Sequence, residues 1–308
     1  MKIIVVGPGA LGCLVAAQLS KKTEVVLLDK NPKRAKVINE KGIKIEGISG
    51  NWKAKVKTTT DLGKITEVDL IIICVKSYDT KGAVKAIKRL VGQNTSVLTL
   101  QNGVGNIEIM DELIEQDKVI GGVTNQGATL LGDGHIRHAG RGDTVIGRMD
   151  GKIPVQMRDI REAFNKAQMP TRISKDIKAL IWSKLIINVG INALTAITRL
   201  KNGKLIEFDG TREILRLAVT EAMKVAKRKR IKLIYDDPLA KVEAVCEATS
   251  SNISSMLQDV LKKKKTEIDF INNVIVRQGQ SIGIPVPINS ALVDLVKTIE
   301  SSYSQRVE

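Results

Sequence analysis

The feature that most constrains this chain is a short run, Gly7-Pro8-Gly9-Ala10-Leu11-Gly12, set directly after the apolar stretch Lys2-Ile3-Ile4-Val5-Val6. A GxGxxG hexamer arises by chance in many sequences, so its setting carries the weight. A strand pattern precedes it, a helical pattern over about 10–21 follows, and a second strand at 24–29 ends on Asp29. Strand, glycine turn, helix, strand and a closing acidic residue form the arrangement that takes the pyrophosphate of a dinucleotide. Gly7 permits the tight turn, Gly9 lets the backbone approach the phosphates, and Gly12 lets helix and strand pack closely. Pro8, Ala10 and Leu11 belong to the same turn, and the helix amino terminus offers free N–H groups to the anion.

A competing reading takes the first 20 residues as a signal peptide, with Cys13 as a lipid-bearing residue. Gly7-Pro8-Gly9 breaks the apolar run and Ala10-Leu11-Gly12 fits a lipoprotein cleavage site poorly, so the strand–turn–helix reading is preferred. No stretch reaches ~18 uninterrupted apolar residues, and no transmembrane helix is expected. Cys13, Cys74 and Cys246 are odd in number, far apart and free of CxxC spacing. A disulfide scaffold and a structural zinc are therefore not expected, and a reducing, cytoplasmic setting is the default.

The 308 residues predict two domains, or three at most. Strand candidates at 43–46, 52–57, 68–75, 96–100, 118–123 and 144–146 alternate with helical stretches, as in a doubly wound α/β sheet. After Met169-Pro170, helical period dominates over 176–198, 211–229, 238–264, 267–282 and 289–302. The expected architecture is an N-terminal Rossmann-type domain over 1–168 and an all-helical C-terminal domain over 169–308. Ligand pockets favour such junctions.

Chemistry-bearing residues recur at positions this fold would use. Val75-Lys76-Ser77 and Gln101-Asn102-Gly103 follow strand candidates, at the edge where open α/β sheets bind ligands. Taken singly, each is as easily a solvated lysine or an ordinary turn. In the helical half, Lys184, Asn188 and Asn192 recur every four residues and share one face of an otherwise apolar helix. Such residues are costly there without partners, although a snorkelling lysine is the plain alternative. Asn252, Ser255 and Asp259 also share a face at helical spacing. An unbroken helix over 238–264 running on into the next would turn Glu267 well away from Ser255.

Taken together, GPGALG, CVKS, QNG, WSKLIINVGINALTAI, NGKL and NISSMLQD followed by TEIDFINN resemble the ketopantoate reductase (2-dehydropantoate 2-reductase) family over nearly the whole chain. The resemblance implies a nicotinamide cofactor on the first domain, usually NADPH, and a substrate site completed by the helices. Lys184 matches the family's catalytic lysine, and Asn102 the asparagine touching nicotinamide and substrate. Asn188, Asn192, Asn202, Asn252 and Ser255 match the substrate-binding segments, and Glu267 matches the glutamate near cofactor and reacting centre. Lys76 and Ala128 match cofactor contacts.

The chain departs from the family at Asp29, where NADPH-dependent members commonly carry arginine there or beside it. An acidic residue there accepts from the adenine ribose hydroxyls and favours NADH. Lys30, Lys33 and Arg34 stand ready for a 2′-phosphate if Asp29 turns aside. Use of both cofactors is expected, with NADH used better than in a typical member. Two other functions compete: a reductase of another 2-oxo or 3-hydroxy acid, and a non-catalytic basic nucleotide- or nucleic-acid-binding protein. The latter draws on the formal charge of +16 and on the runs Lys227–Arg230 and Lys262–Lys265. With only two Trp, three Tyr and three Phe, the chain is poorly stocked for stacking bases. No specific nucleic acid, membrane or metal is expected, and a homodimer is among the assemblies left open.

Overall fold

The computed structural model describes residues 1–65 and 67–306. Contacts divide it into a sheet unit, 1–101 with 106–177, and a helical unit, 178–308 with Asn102–Gly105.

The sheet unit contains β1 (Lys2–Val6), α1 (Ala10–Leu19), β2 (Glu24–Leu28), α2 (Pro32–Lys41), β3 (Ile43–Gly47), β4 (Trp52–Ala54), β5 (Lys57–Thr59), β6 (Leu70–Ile73), α3 (Thr80–Ile87), β7 (Ser96–Thr99), α4 (Asn106–Asp111), β8 (Val119–Thr124), β9 (Gly127–Gly132), β10 (His135–Gly140), β11 (Thr144–Gly147), α5 (Val155–Lys166) and β12 (Thr171–Ile173). Its main sheet runs β12-β11-β8-β7-β6-β1-β2-β5. Every pairing from β8 to β5 is parallel, while β11 lies antiparallel to β8. β1 sits at the topological switch, with β2 on one side and β6 on the other, so the turns leaving β1 and β6 open at the ligand edge. Ile71, Ile72 and Ile73 of β6 and Val97 and Leu98 of β7 are fully buried, as central parallel strands require. Pro32 at the first turn of α2 and the Asn31 side chain, which accepts from the Lys33 and Arg34 amides, start that helix where expected, and Gly42 ends it.

One expectation is corrected here, and two further features extend the sheet unit. The alternating stretch 52–57 is two strands: β4 joins a small sheet, β4-β3-β10-β9, and β5 the edge of the main one. β9 and β10 form a hairpin turning at Asp133-Gly134 that sequence reading passed over. β12 pairs with β11, which carries the sheet past the boundary expected at 168/169 and places the unit's end at Ile177.

The helical unit contains α6 (Ile177–Thr198, its first residue counted with the sheet unit), α7 (Asp209–Arg228), α8 (Pro238–Ala248), α9 (Ser255–Leu261), α10 (Asn272–Ser281) and α11 (Pro287–Ser301). The single helix expected over 238–264 is broken between α8 and α9, and the one expected from 267 begins only at Asn272. By length and composition α6 could span a bilayer, although no uninterrupted apolar run marks it in the sequence. Two-thirds of its apolar window is buried, and Trp182, Leu185, Ile186, Val189 and Leu194 lie in the core of this unit. Glu221 of α7 accepts from the amides of Ile288 and Asn289 and so caps α11.

Candidate active site

In the sheet unit the glycine turn is shaped by the backbone. Gly7 has φ +101°, and a side chain on it would fall 2.7 Å from Val75 Cγ1. A Cβ on Gly12 would lie 1.9 Å from the Gly7 carbonyl oxygen. Gly9 differs: a Cβ there would project into open space. Packing within the protein does not demand that glycine, whereas a phosphate lying against the backbone would. Gly9 is the N-cap of α1, no side chain caps that helix, and its first turn carries no acidic residue. The residues present thus fit the pyrophosphate of a dinucleotide.

Around that turn the structure separates the expected cofactor residues. Lys76 follows β6, half-buried, and Ala128 lies in β9, half-buried against the core of the sheet unit. Lys30 is highly exposed and pairs with Asp79 at 3.1 Å. Asp29, expected to face a ribose, is engaged within the chain. Its two carboxylate oxygens accept from Arg34 Nε and Nη2, both at 2.6 Å, and one also accepts from the Asn31 amide at 2.9 Å. The side chain is wholly enclosed.

The helical unit gathers the remaining residues. Lys184, Asn188 and Asn192 lie along one face of α6, the first two half-buried and the third buried. Part of the Lys184 side chain stays open to solvent, yet protein atoms crowd it enough to push its ammonium down to about 8, with the Glu267 carboxylate pulling the other way. Glu267 is buried at the turn before α10. The break ahead of that helix removes the difficulty an unbroken helix posed, because α9 ends at Leu261 and Lys263, at φ +51°, turns the chain out of helical geometry before Glu267. Asn102 reaches the same turn: the Val104 amide donates to the Phe270 carbonyl at 3.0 Å, and Val104 is buried in the helical core. Gly103, with φ +87°, leaves no room for a Cβ, which would fall 2.3 Å from the Phe270 oxygen. The loop that begins at Asn102 is thereby seated at the turn bearing Glu267, whose carboxylate acts on Lys184.

Farther along α6, Thr195 Oγ1 lies 2.6 Å from Ser254 Oγ, and Ser254 caps α9 by accepting from the Leu257 amide. Ser254, which sequence reasoning missed, therefore seats Ser255, the first residue of α9. Asn202 is buried, its Nδ2 donating to Thr249 Oγ1 and its amide to the Asn252 carbonyl. Asn252 itself is exposed and outside α9, so it meets the cluster by its backbone and not by the face it was expected to share with Ser255 and Asp259. All three cysteines are free, and burial raises Cys13 and Cys74 to about 12 and Cys246 to about 11.

Residues 3–151 match the family model described as ketopantoate reductase PanE/ApbA, and residues 176–300 match its C-terminal counterpart. The 2-dehydropantoate 2-reductase of Pyrococcus horikoshii is 37% identical over 301 residues, covering 98% of both chains. That of Halobacterium salinarum is 34% identical over 299 residues, covering 96% of this chain and 98% of its own. Among solved structures, a PanE/ApbA family ketopantoate reductase from Ralstonia eutropha superposes with a TM-score of 0.91 at 34% identity, covering 99% of this chain and 100% of the other. D-mandelate dehydrogenase, solved with NADH and anilino(oxo)acetate, also gives 0.91, at 26% identity and the same coverage. Both family models fall on the two units just described, and these relatives run the full length of both. The chain belongs to the ketopantoate reductase PanE/ApbA family.

Proposed function

We propose that this protein reduces 2-dehydropantoate to pantoate, the acid needed for pantothenate and coenzyme A synthesis. The observation that carries the reading is the pairing of Lys184, its ammonium depressed to about 8, with the buried Glu267 on the unit that also holds Asn102. A bound nicotinamide dinucleotide supplies the hydride. Lys184 donates a hydrogen bond to the ketone oxygen, stabilises the charge that develops there and yields its proton. A pKa near neutrality suits it to that task, because the group is charged at pH 7 yet releases its proton readily. Glu267 favours the charged lysine and borders the cofactor. Asn102 orients the ketone, while Asn188, Asn192, Asn202 and Ser255 hold carboxylate and hydroxyl. Asn252 contributes by holding Asn202.

Gly7 to Gly12, Lys76 and Ala128 hold the cofactor. Arg34's hold on Asp29 weakens the case for NADH and supports use of NADPH at least as good as that of NADH. The test is 2-dehydropantoate-dependent oxidation of NADPH and of NADH by the purified protein, followed by absorbance. No oxidation with either cofactor would end the reading. A second reading, another 2-oxo acid as substrate, is favoured by the likeness to D-mandelate dehydrogenase. A panel of 2-oxo acids separates the two by kcat/KM, and an aromatic 2-oxo acid outrunning 2-dehydropantoate would decide for the second.

A further inference from the structure

Where β7 ends, Gln101 makes more side-chain contacts than a residue at a strand end needs. Its Nε2 donates to the Val75 carbonyl and to Thr80 Oγ1, both at 2.8 Å. Its Oε1 accepts from Thr99 Oγ1 at 2.9 Å, and its own amide donates back to that hydroxyl. Thr80 Oγ1 in turn lies 2.8 Å from the Ser77 carbonyl and 2.9 Å from Asn106 Oδ1, and Asn106 Nδ2 donates to Ser77 Oγ. Val75, whose carbonyl Gln101 holds, is wedged against the glycine turn, close enough that any Cβ on Gly7 would strike it. One amide thus joins the end of β7, the Lys76 segment and, through Val75, the turn after β1.

We infer that Gln101 is a positioning residue that fixes the Lys76 segment against the glycine turn, so that the cofactor edge is set before any dinucleotide arrives. This rests on the reductase reading, since that reading makes these segments the cofactor edge. The chemistry explains why glutamine stands here. The position needs two N–H donors and one acceptor on a planar head. Methionine has the length and none of the hydrogen bonds, and a glutamate carboxylate would confront the Val75 carbonyl with no proton to give. Gln101 does not set Asn102 in the same way, because the loop after it is held by the Val104 amide on Phe270. Cofactor affinity and substrate affinity therefore separate.

The test uses the full chain with Gln101→Met, Thr80→Val and Thr80→Ser. Dissociation constants for NADPH are read by fluorescence, KM for the oxo acid at saturating cofactor, Tm as the folding control, and amide exchange over 75–80 in cofactor-free protein. Gln101→Met should raise the NADPH dissociation constant roughly tenfold, as loss of the two Nε2 hydrogen bonds to the 75–80 segment implies, and speed exchange over 75–80. It should leave the oxo-acid KM within about twofold, since the Val104 amide on Phe270 that seats the Asn102 loop is kept. Thr80→Val should reproduce the cofactor defect and Thr80→Ser should restore it, and the Gln101→Met/Thr80→Val double variant should be little worse than either single. A folded Gln101→Met that binds NADPH like the wild type overturns this inference and leaves the reductase reading standing. So does a Thr80→Ser as weak as Thr80→Val. Wild-type protein that binds neither dinucleotide overturns both.

Discussion

The sheet unit builds its candidate binding edge from backbone, and the helical unit builds its own from side chains. At the glycine turn the ligand-facing groups are amides, and the nearby charges are spent on each other, Asp29 on Arg34 and Lys30 on Asp79. On α6 the backbone is consumed by the helix, and under the proposed function Lys184, Asn188 and Asn192 carry the chemistry from an apolar surface. The first mode recognises a group shared by many enzymes, a pyrophosphate, and needs only shape. The second must distinguish one oxo acid from another, and must place a proton.

The comparison breaks most visibly at Lys184. Lys184→Ala should lower turnover by roughly 10²–10⁴, the usual worth of general acid–base help, with the dinucleotide dissociation constant unchanged. Retention of more than about a third of wild-type turnover under saturating conditions would remove the lysine from the chemical step.

The backbone mode is tested by two glycines that differ in surroundings. Gly9→Ala should fold within ~0.5 kcal/mol of wild type, as a substitution meeting open space does. It should still weaken dinucleotide binding by about tenfold or more, equivalent to ~1.4 kcal/mol. Gly12→Ala should instead destabilise the sheet unit by roughly 1–3 kcal/mol or more through overpacking. Equal loss of stability in the two variants, by denaturant titration, would contradict the division of labour between them.

The side-chain mode should show a pH signature that the backbone mode lacks. As pH rises through about 8, Lys184 loses the proton it donates, so kcat should fall while dinucleotide affinity holds. Stability runs the other way. The folded protein releases this proton near 8 and the unfolded chain near the ordinary 10.5, so between those values the unfolded state binds more protons. Stability therefore gains a contribution from Lys184 as pH climbs across that window. Lys184→Met should be more stable than wild type at pH 7 and should lose the rise. A kcat that is flat to pH 10 would sink both statements.

The smallest effect is expected at Asp29. Asp29→Ala strands Arg34 and should cost about 1–3 kcal/mol of stability, the penalty for a charged group stripped of its hydrogen bonds. It should move the NADPH/NADH ratio of kcat/KM by less than about threefold, ~0.6 kcal/mol. A shift above tenfold toward NADPH would mean that the carboxylate does reach the ribose.

Local chemistry was legible in the sequence, and long-range partnership was not. Glycine spacing, the Pro32 start of α2 and the isoleucine run of β6 act through nearest neighbours, and each stands where it was read. The alternation at 52–57 reads equally well as one strand or two, because nothing in it says that its halves serve different sheets. The Asp133-Gly134 pair was a hairpin signal available and unused. Helical period continued across 249–254, yet Ser254 caps a new helix there, a choice stabilised by Thr195 of α6, which sequence spacing does not reveal. Asp29 was identified correctly as the residue closing β2. Its engagement by Arg34 depends on rotamers that a pattern cannot show. At the candidate site, the residue types on α6 were readable as a set, while the bond from Val104 to Phe270 that seats the Asn102 loop was not.

That bond has a consequence for how the chain is made. Asn102–Gly105 lies between β7 and α4 in sequence, yet it belongs with a turn that leaves the ribosome much later. At ~5–20 residues per second, on the order of ten seconds separate the synthesis of Val104 from that of Phe270. Once the strands up to Ile173 have been made, the sheet unit has its residues, whereas the loop bearing Asn102 still has no seat. Under the proposed function, a nascent or truncated chain is therefore equipped to hold a dinucleotide before it is equipped to spend one.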